Sequence, residues 1–564
     1  MELIDFIVGA LKRYPELAIF ASLAIGYWIG AFKFGGFSLG AVTGTLLAAI
    51  LIGQLGITVS PNVKSMFFIM FLFAVGYGVG PQFVRGIASD GLPQAIFAVV
   101  VSVLCLLSCY AVAIIAGYGP GFAAGFLAGS QTISAAMGVA TDAISGLGLT
   151  PEAAKTMTDQ MPVAYAVTYI WGTIGTGIIL SILGPKLLGV DIAAECKRYE
   201  KEMSAGAPAG GMQSAYRRLD VRAYKIGDRL PAGTTVRDIE SRLPDARIFV
   251  LRLRRDGQLV KADPTTVLQQ GDVVAVGGKT DVLVEVVGKH GTEVSDPELL
   301  DMPSEAVDVV LTNKAYDGKT LLELTKTDFA RGVYLNKITR GATSVNIPIL
   351  AQTKVNRGDI LRIAGPRAAT DAAVKNLGYA DRPTNMTDMV WVGLGIVLGG
   401  LIGAIVIPVS GIPITLSTSG GALIAGIIVG WARGVHPTFG RIPAPALWFM
   451  NSVGLNVFIA VVGITAGPTF VAGIKEAGFG LFLWGLAATS VPMLLAPLIG
   501  KYIFKFDPAI NLGCCGGART STASVAMVAD VAKSDIPMLG YTVPYAVSNT
   551  LLTMWGLVIV LMLA

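Results

Sequence analysis

The stretch GSQTISAAMGVATD at residues 129–142 aligns without a gap on GARTSTASVAMVAD at 517–530, and the reading of this pair decides the fold. The surrounding segments, 121–146 and 509–532, are long enough for membrane helices. They are nevertheless crowded with Gly, Ala, Ser and Thr rather than Leu, Ile and Phe. Moving outward, GVGPQFVRGI (78–87) lines up with ITAGPTFVAGI (464–474), so that Gly80, Pro81, Phe83, Val84, Gly86 and Ile87 answer Gly467, Pro468, Phe470, Val471, Gly473 and Ile474. On the other side VAYAV (163–167) answers VPYAV (543–547). The matches keep the same order in both halves, which marks an internal duplication.

Composition names the solvent of these halves. Of 564 residues, 53% are hydrophobic and 14% charged, where a soluble domain carries about 25% charged residues. A hydrocarbon core of about 30 Å asks for roughly 20 apolar residues per helix. Residues 16–33, 37–56, 63–84, 93–117 and 161–187 meet that demand, as do 388–408, 411–433, 446–473, 477–504 and 538–564. Glu2 and Asp5 come early, and no small-residue cleavage site follows the first apolar run, so the start does not read as a signal peptide. The net charge of +5 is modest and is not gathered into a basic stripe, so no nucleic-acid partner is read. Cys105, Cys109, Cys196, Cys514 and Cys515, with only His290 and His436, form no metal-ligand pattern. No catalytic residue, metal or cofactor is expected.

Between the halves the chemistry changes. DARIFVLRLRRDGQ and DVVAVGGKTDVLVEVVG read as strands and VRDIESRL as a helix, giving an α+β insert. TTVLQQGDVVAVGG (265–278) returns as ILAQTKVNRGDILRIAGP (349–366), so the insert is itself duplicated. The expected division is membrane repeat 1 at 1–187, a linker at 188–215, insert subdomains at 216–297 and 303–380, and membrane repeat 2 at 386–564.

Repeated membrane halves are characteristic of transporters, whose substrate site lies where broken helices of the two halves meet. An unwound stretch survives in the bilayer only when buried in protein or facing a water-filled cavity. The two polar segments are therefore the expected site, offering Ser130, Gln131, Thr132 and Ser134 from the first and Arg519, Thr520, Ser521, Thr522 and Ser524 from the second. Hydroxyls and amides bond a substrate without charge, and an intramembrane Arg is costly and usually functional. An anionic substrate is expected, with Arg519 as its ligand; the competing reading has Arg519 snorkel to the membrane interface or pair with Asp530 as a structural bridge. Asp142 and Asp530 are read as coupling residues or as structural caps. Pro162, Tyr165, Pro544, Tyr545 and Asn549 are read as shaping the pocket wall. Gly393, Gly395, Gly399, Gly400 and Gly403 sit inside an apolar span with no strand before them, so they read as helix packing rather than a dinucleotide loop.

The order of spans, the start YWIGAFKFGGFSLGAVTGTLLAAILIGQLG (27–56), the GSQT and GARTSTAS segments and the central insert together resemble the aspartate:alanine exchanger family of bacterial transporters. The insert resembles paired TrkA-C (RCK-C) domains, whose effector the residues do not reveal. The resemblance implies a multi-pass antiporter of the bacterial inner membrane that imports aspartate and exports alanine, or a relative that exports succinate or another dicarboxylate. The expected partners are a small anionic amino acid or dicarboxylate and membrane lipid, and a scaffold of the helices outside the two broken segments is expected to form a homodimer. Lys186, Lys197, Arg198, Lys201 and Arg382 make the insert cytoplasmic by the positive-inside rule. Short-loop charge does not separate six crossings per half from five crossings plus a re-entrant hairpin. The polarity of the two segments favours the latter, and hence two inverted repeats with both termini outside. A channel gated by the insert is the main alternative, since AVGYGVG (74–80) is a near look-alike of a selectivity filter. A membrane enzyme is weaker, because no nucleophile–base pair sits in the spans.

Overall fold

The computed structural model describes the chain apart from residues 1, 35–36, 39, 89–90, 204–218, 228–229, 232, 242–247, 286, 288–290, 342–344, 382–385, 410–411 and 437–438. Its contacts divide it into two compact units. One comprises Met1–Tyr199, Thr339–Pro348 and Pro383–Ala564, the other Glu200–Ile338 and Ile349–Arg382.

The first unit is a polytopic α-helical membrane protein built twice from the same parts. The first repeat contains α1 (Pro15–Gly30), α2 (Ala41–Gly53), α3 (Pro61–Ala88), α4 (Leu92–Ala116), α5 (Pro120–Ser130), α6 (Ala135–Gly146) and α7 (Pro151–Ile178). The second contains α8 (Met389–Gly403), α9 (Ser417–Val435), α10 (Ala444–Ala477), α11 (Gly480–Tyr502), α12 (Pro508–Ala518), α13 (Thr522–Ala532) and α14 (Met538–Leu563). A two-stranded ribbon joins α1 to α2 (Lys33–Phe34 with Phe37–Ser38) and another joins α8 to α9 (Val406–Val409 with Ile412–Thr415). Seven described helices are long and apolar enough to cross a membrane, and α1, α2 and α8 are shorter apolar helices. The span expected at 161–187 begins ten residues earlier, at Pro151, where the Thr150 hydroxyl caps the helix by accepting from the Ala153 amide at 3.3 Å.

Glycine lets these helices meet backbone to backbone. Gly76 and Gly80 of α3 lie against the carbonyls of Leu423 and Ile427 on α9, and Gly463 and Gly467 of α10 lie against Leu46 and Ile50 on α2. Each repeat thus lends one glycine-striped helix to the other. In α8, Gly395, Gly399 and Gly403 pack closely on neighbours, whereas Gly393 has nothing within 4 Å. The filter look-alike at 74–80 lies inside α3, where its carbonyls are engaged in helix bonds and cannot line a pore as a filter does.

The two polar segments are helical hairpins. α5 has 11 residues, about 16 Å of helix and half a bilayer. It runs alongside α7 in the same direction, with Gly121 on Met157, Gly125 on Met161 and Gly129 on Tyr165. Because α6 ends at Gly146 and α7 starts at Pro151, α6 must double back beside α5. The second hairpin is built likewise, with Gly513 on Pro537 and Gly517 on Tyr541. At their far ends, α7 packs Gly177 on Met527 of α13, and α14 packs Gly556 on Ala136 of α6. Each hairpin's returning arm therefore lies against the far end of the other repeat's last helix. That is possible only when the hairpins enter from opposite sides, so the repeats are inverted.

This packing also resets one alignment. VAYAV does not superpose on VPYAV, because Tyr165 is equivalent to Tyr541 and Tyr169 to Tyr545, one helical turn from the match that sequence identity picks. Pro162 and Pro544 are consequently not equivalent, although both lie inside their helices.

The insert carries two five-stranded sheets. The first orders β1 (Leu219–Ile226), β2 (Phe249–Arg255), β3 (Gln258–Lys261), β4 (Val273–Lys279) and β5 (Gly291–Val294) as β3-β2-β4-β1-β5. The second orders β6 (Ser304–Leu311), β7 (Tyr334–Arg340), β8 (Val345–Ile347), β9 (Ile360–Pro366) and β10 (Gly378–Ala380) as β8-β7-β9-β6-β10, the same topology again. The shared Gly-Asp turns explain the sequence echo. Gly271 (φ 91°) and Gly358 (φ 87°) take left-handed conformations, and the following carboxylates, Asp272 and Asp359, accept from the Gln269 and Asn356 amides at 2.9 and 2.8 Å. Of the expected linker, Ile192–Met203 is helical and 204–215 lie outside the described residues, as do 216–218 of the first subdomain and Arg382.

Candidate functional site

The two hairpin tips meet. Each first arm ends in the same hydrogen-bonded turn: the amides of Thr132 and Ile133 donate to the carbonyls of Gly129 (3.0 Å) and Ala128 (2.8 Å), and those of Thr520 and Ser521 donate to Gly517 (2.8 Å) and Gly516 (3.0 Å). A turn of this kind places its pivotal residue in the left-handed region, where glycine is usual. Here the pivots are threonines, Thr132 at φ 53° and Thr520 at φ 55°, a conformation that costs an L-residue about 1–2 kcal/mol. Both Oγ1 atoms are buried without a partner among the described residues. Two repeat-related strained residues with orphaned hydroxyls at one meeting point mark a site built for something other than stability.

Arg519 lies at the centre. Its side chain is 0% exposed, and Nη2 donates to the carbonyl oxygen of Ser130 on the opposite tip. Nε and Nη1 have no partner among the described residues. The structural alternative for Arg519, a bridge to Asp530, is not made, since Asp530 is exposed in the last turn of α13. Opposite Arg519 the first repeat places Gln131, fully buried, whose Nε2 donates to Cys109 Sγ, Ser130 Oγ and the Ala488 carbonyl, each at 3.3 Å. Its Oε1 is also without a partner among the described residues. The walls come from α4 and α11: Cys109 Sγ is 3.4 Å from Ser130 Oγ, and Thr489 Oγ1 donates to the Ser130 carbonyl at 3.1 Å.

The remaining expected residues are divided among the tips, the returning arms and the last helices. Ser134 and Thr522 begin the returning arms, and their hydroxyls meet those of Tyr165 and Tyr541 at 2.6 Å each, a second pair of contacts repeated by symmetry. Ser521 and Ser524 bond one another at 2.6 Å, and Ser521 caps α13 through the Ser524 amide at 3.3 Å, so these two are occupied in building the tip. Asp142 lies away from the tips, on the returning arm α6, where Oδ2 accepts from Ser419 at 2.7 Å. Pro544 packs its ring beside Gly517, Asn549 is buried within α14, and Tyr545 stacks on Tyr541 with ring centroids 5.1 Å apart. An apolar cavity lined by Met66, Met70, Met389, Val392, Phe449 and Met450 lies on other helices, and its described lining carries no charged group.

The contributions of Cys109, Ala488 and Thr489 are not legible in the sequence, because α4 and α11 look like ordinary apolar spans and the wall of α11 acts partly through a main-chain carbonyl. Tyr541 could have been found: it stands where Tyr165 stands once the helices are aligned by packing rather than by identity.

Comparison with known proteins agrees with this architecture. A family described as Predicted Permease Membrane Region (Asp-Al_Ex) matches residues 18–185 and 391–561, the two membrane repeats without the insert. An uncharacterized transporter of Shewanella oneidensis is 53% identical over 99% of this chain and 100% of its own length. Similar transporters of Bradyrhizobium diazoefficiens and Bordetella parapertussis are 41% and 37% identical, over 90% and 99% of this chain and 98% of their own lengths. No solved structure matches.

Proposed function

Because the chain belongs to the Asp-Al_Ex family of predicted permease membrane regions, we propose that it is a secondary antiporter exchanging aspartate for alanine across the bacterial inner membrane by alternating access. The observation that carries this reading is Arg519, a fully buried guanidinium with two nitrogens lacking a partner at the meeting of two strained hairpin tips. Desolvating such a cation costs several kcal/mol unless an anion offsets it. A carboxylate presents two oxygens to a guanidinium fork. Aspartate and alanine share an α-carboxylate, so one arginine can serve both species of an exchange. Inward aspartate against outward alanine moves negative charge inward, and decarboxylation between them consumes a proton, so the cycle generates proton-motive force. Succinate or another dicarboxylate would use the same arginine and is the alternative cargo.

The inverted repeats supply the movement. The helices pack as a hairpin-bearing bundle (α4–α7 with α11–α14) and a second bundle (α1–α3 with α8–α10). In this reading the hairpin bundle moves against the other, and exchanging the conformations of the two repeats turns the tips from one face to the other. The duplicated insert is read as a pair of TrkA-C-like regulatory domains on the cytoplasmic side.

Two experiments test this. In proteoliposomes preloaded with alanine, labelled aspartate is taken up, and vesicles without internal substrate show little uptake. Robust uptake into empty vesicles would exclude obligatory exchange, and failure of aspartate, alanine and succinate alike would exclude the substrate class. For topology, all five native cysteines are buried, so single cysteines introduced as Glu2→Cys and Leu563→Cys can be read against a low background. Both should react with an impermeant maleimide from outside the cell; labelling from the cytoplasm alone contradicts the proposed orientation.

A further inference from the structure

The polar atoms left over at the tips are not all donors. Arg519 Nε and Nη1 can only donate, and the Thr132 and Thr520 hydroxyls can do either, but Gln131 Oε1 can only accept. Its identity as oxygen is fixed by its surroundings. The other end of the amide lies 3.3 Å from the Ala488 carbonyl, which accepts and cannot donate, so the nitrogen must be on that side. Oε1 is therefore a buried acceptor without a partner among the described residues, in the same pair of tips as the Arg519 donors. An ionised dicarboxylate brings only acceptors: it satisfies Arg519 but leaves Gln131 Oε1 unpaired. A ligand with a carboxylate beside an ammonium satisfies both.

From this juxtaposition we propose that Gln131 is a specificity-determining residue, whose Oε1 accepts from the ammonium of an amino-acid substrate while Arg519 holds its carboxylate. The inference deepens the exchanger reading and rests on it. It also gives the difference between the duplicated tips a role: at one position of the repeat, the second hairpin carries a cation for the acid and the first a neutral acceptor for the amine. A neutral amide suits this task better than a carboxylate, which would pair with Arg519 directly and close the site.

Aspartate and succinate differ by the α-amino group alone, which makes them the probes. With the full-length protein in proteoliposomes, each is used unlabelled to compete against labelled aspartate. A buried acceptor left unsatisfied disfavours the ligand lacking the donor by about 10–100-fold, so succinate should compete that much more weakly than aspartate. In Gln131→Met, which keeps the length and apolar bulk but replaces the amide oxygen with a thioether that accepts only weakly, the two should compete within a few-fold of each other. Equal competition in the unaltered protein overturns the proposal even if the variant does not fold. A preference that survives Gln131→Met overturns it as well, while leaving the exchanger reading in place. Uptake of neither compound by the unaltered protein removes the exchanger reading and this one together.

Discussion

Arg519→Gln lowers uptake of the anionic substrate at least about 30-fold, yet the substrate-free variant melts no lower than the parent. The first half follows from the geometry of the guanidinium. Nη2 is held by the Ser130 carbonyl, and Nε and Nη1 wait unpaired in a buried site. Truncating one partner of a buried charge pair costs about 2–5 kcal/mol, which at about 1.4 kcal/mol per factor of ten is roughly 30- to 3,000-fold. The second half has the opposite sign. Without substrate the parent buries a charge that the Ser130 carbonyl offsets only in part and that no carboxylate among the described residues neutralises, so glutamine removes a liability along with the function. Thermal melts of the detergent-solubilised protein, with and without aspartate, check both halves: aspartate raises the parent's midpoint and leaves the variant's unchanged. Arg519→Lys keeps the charge but not the planar fork, and should fall between them. Unimpaired uptake, or a substrate-free variant that melts well below the parent, would make Arg519 a structural residue instead.

This separation of stability from function explains which parts of the molecule could be read from the sequence. The duplication, the polar segments and the central insert were legible because they depend on residue type: Gly and small residues where backbones touch, and long apolar runs elsewhere. Arg519 was legible for the same reason, since an arginine within an apolar half has few explanations. The use of each hydroxyl was not legible. Ser521 and Ser524 resemble Thr132 and Thr520 as polar residues of a tip, but the first pair is consumed in capping α13 while the second pair is held in a left-handed turn with its oxygens free. Only backbone geometry separates them. The register of the last helices was misread because several turns of an apolar helix offer similar short matches, whereas the tyrosine that reaches Ser134 or Thr522 is chosen by distance. In the insert the Gly-Asp echo pointed to a true structural repeat, because a left-handed glycine followed by a turn-closing carboxylate is a local requirement that leaves a local signature.

The glycines beneath the hairpins give the complementary prediction, in which stability and transport fall together. A methyl group at Gly125 would overlap the main-chain carbonyl of Met161, and one at Gly513 would overlap that of Pro537. Neither obstacle is the movable end of a side chain, so the hairpin must lift from α7 or α14. Overpacking of this kind costs about 1–3 kcal/mol, and sometimes more. Such a shift also carries the tip away from its counterpart, and positional errors near 1 Å at a substrate site are felt about 100-fold. Gly125→Ala and Gly513→Ala should each lower the melting temperature of the substrate-free protein and reduce exchange to near background. Although they lie far apart in the chain, their effects should be alike, because they occupy the same place in two inverted copies. Gly393→Ala is the control: with nothing within 4 Å, it should leave both quantities unchanged or raise stability slightly through helix propensity. If either hairpin glycine accepts alanine with full activity, that hairpin does not sit on its helix as described. If only one of the two does, the repeats are not equivalent at their bases, and the asymmetry of the site extends beyond Gln131 and Arg519.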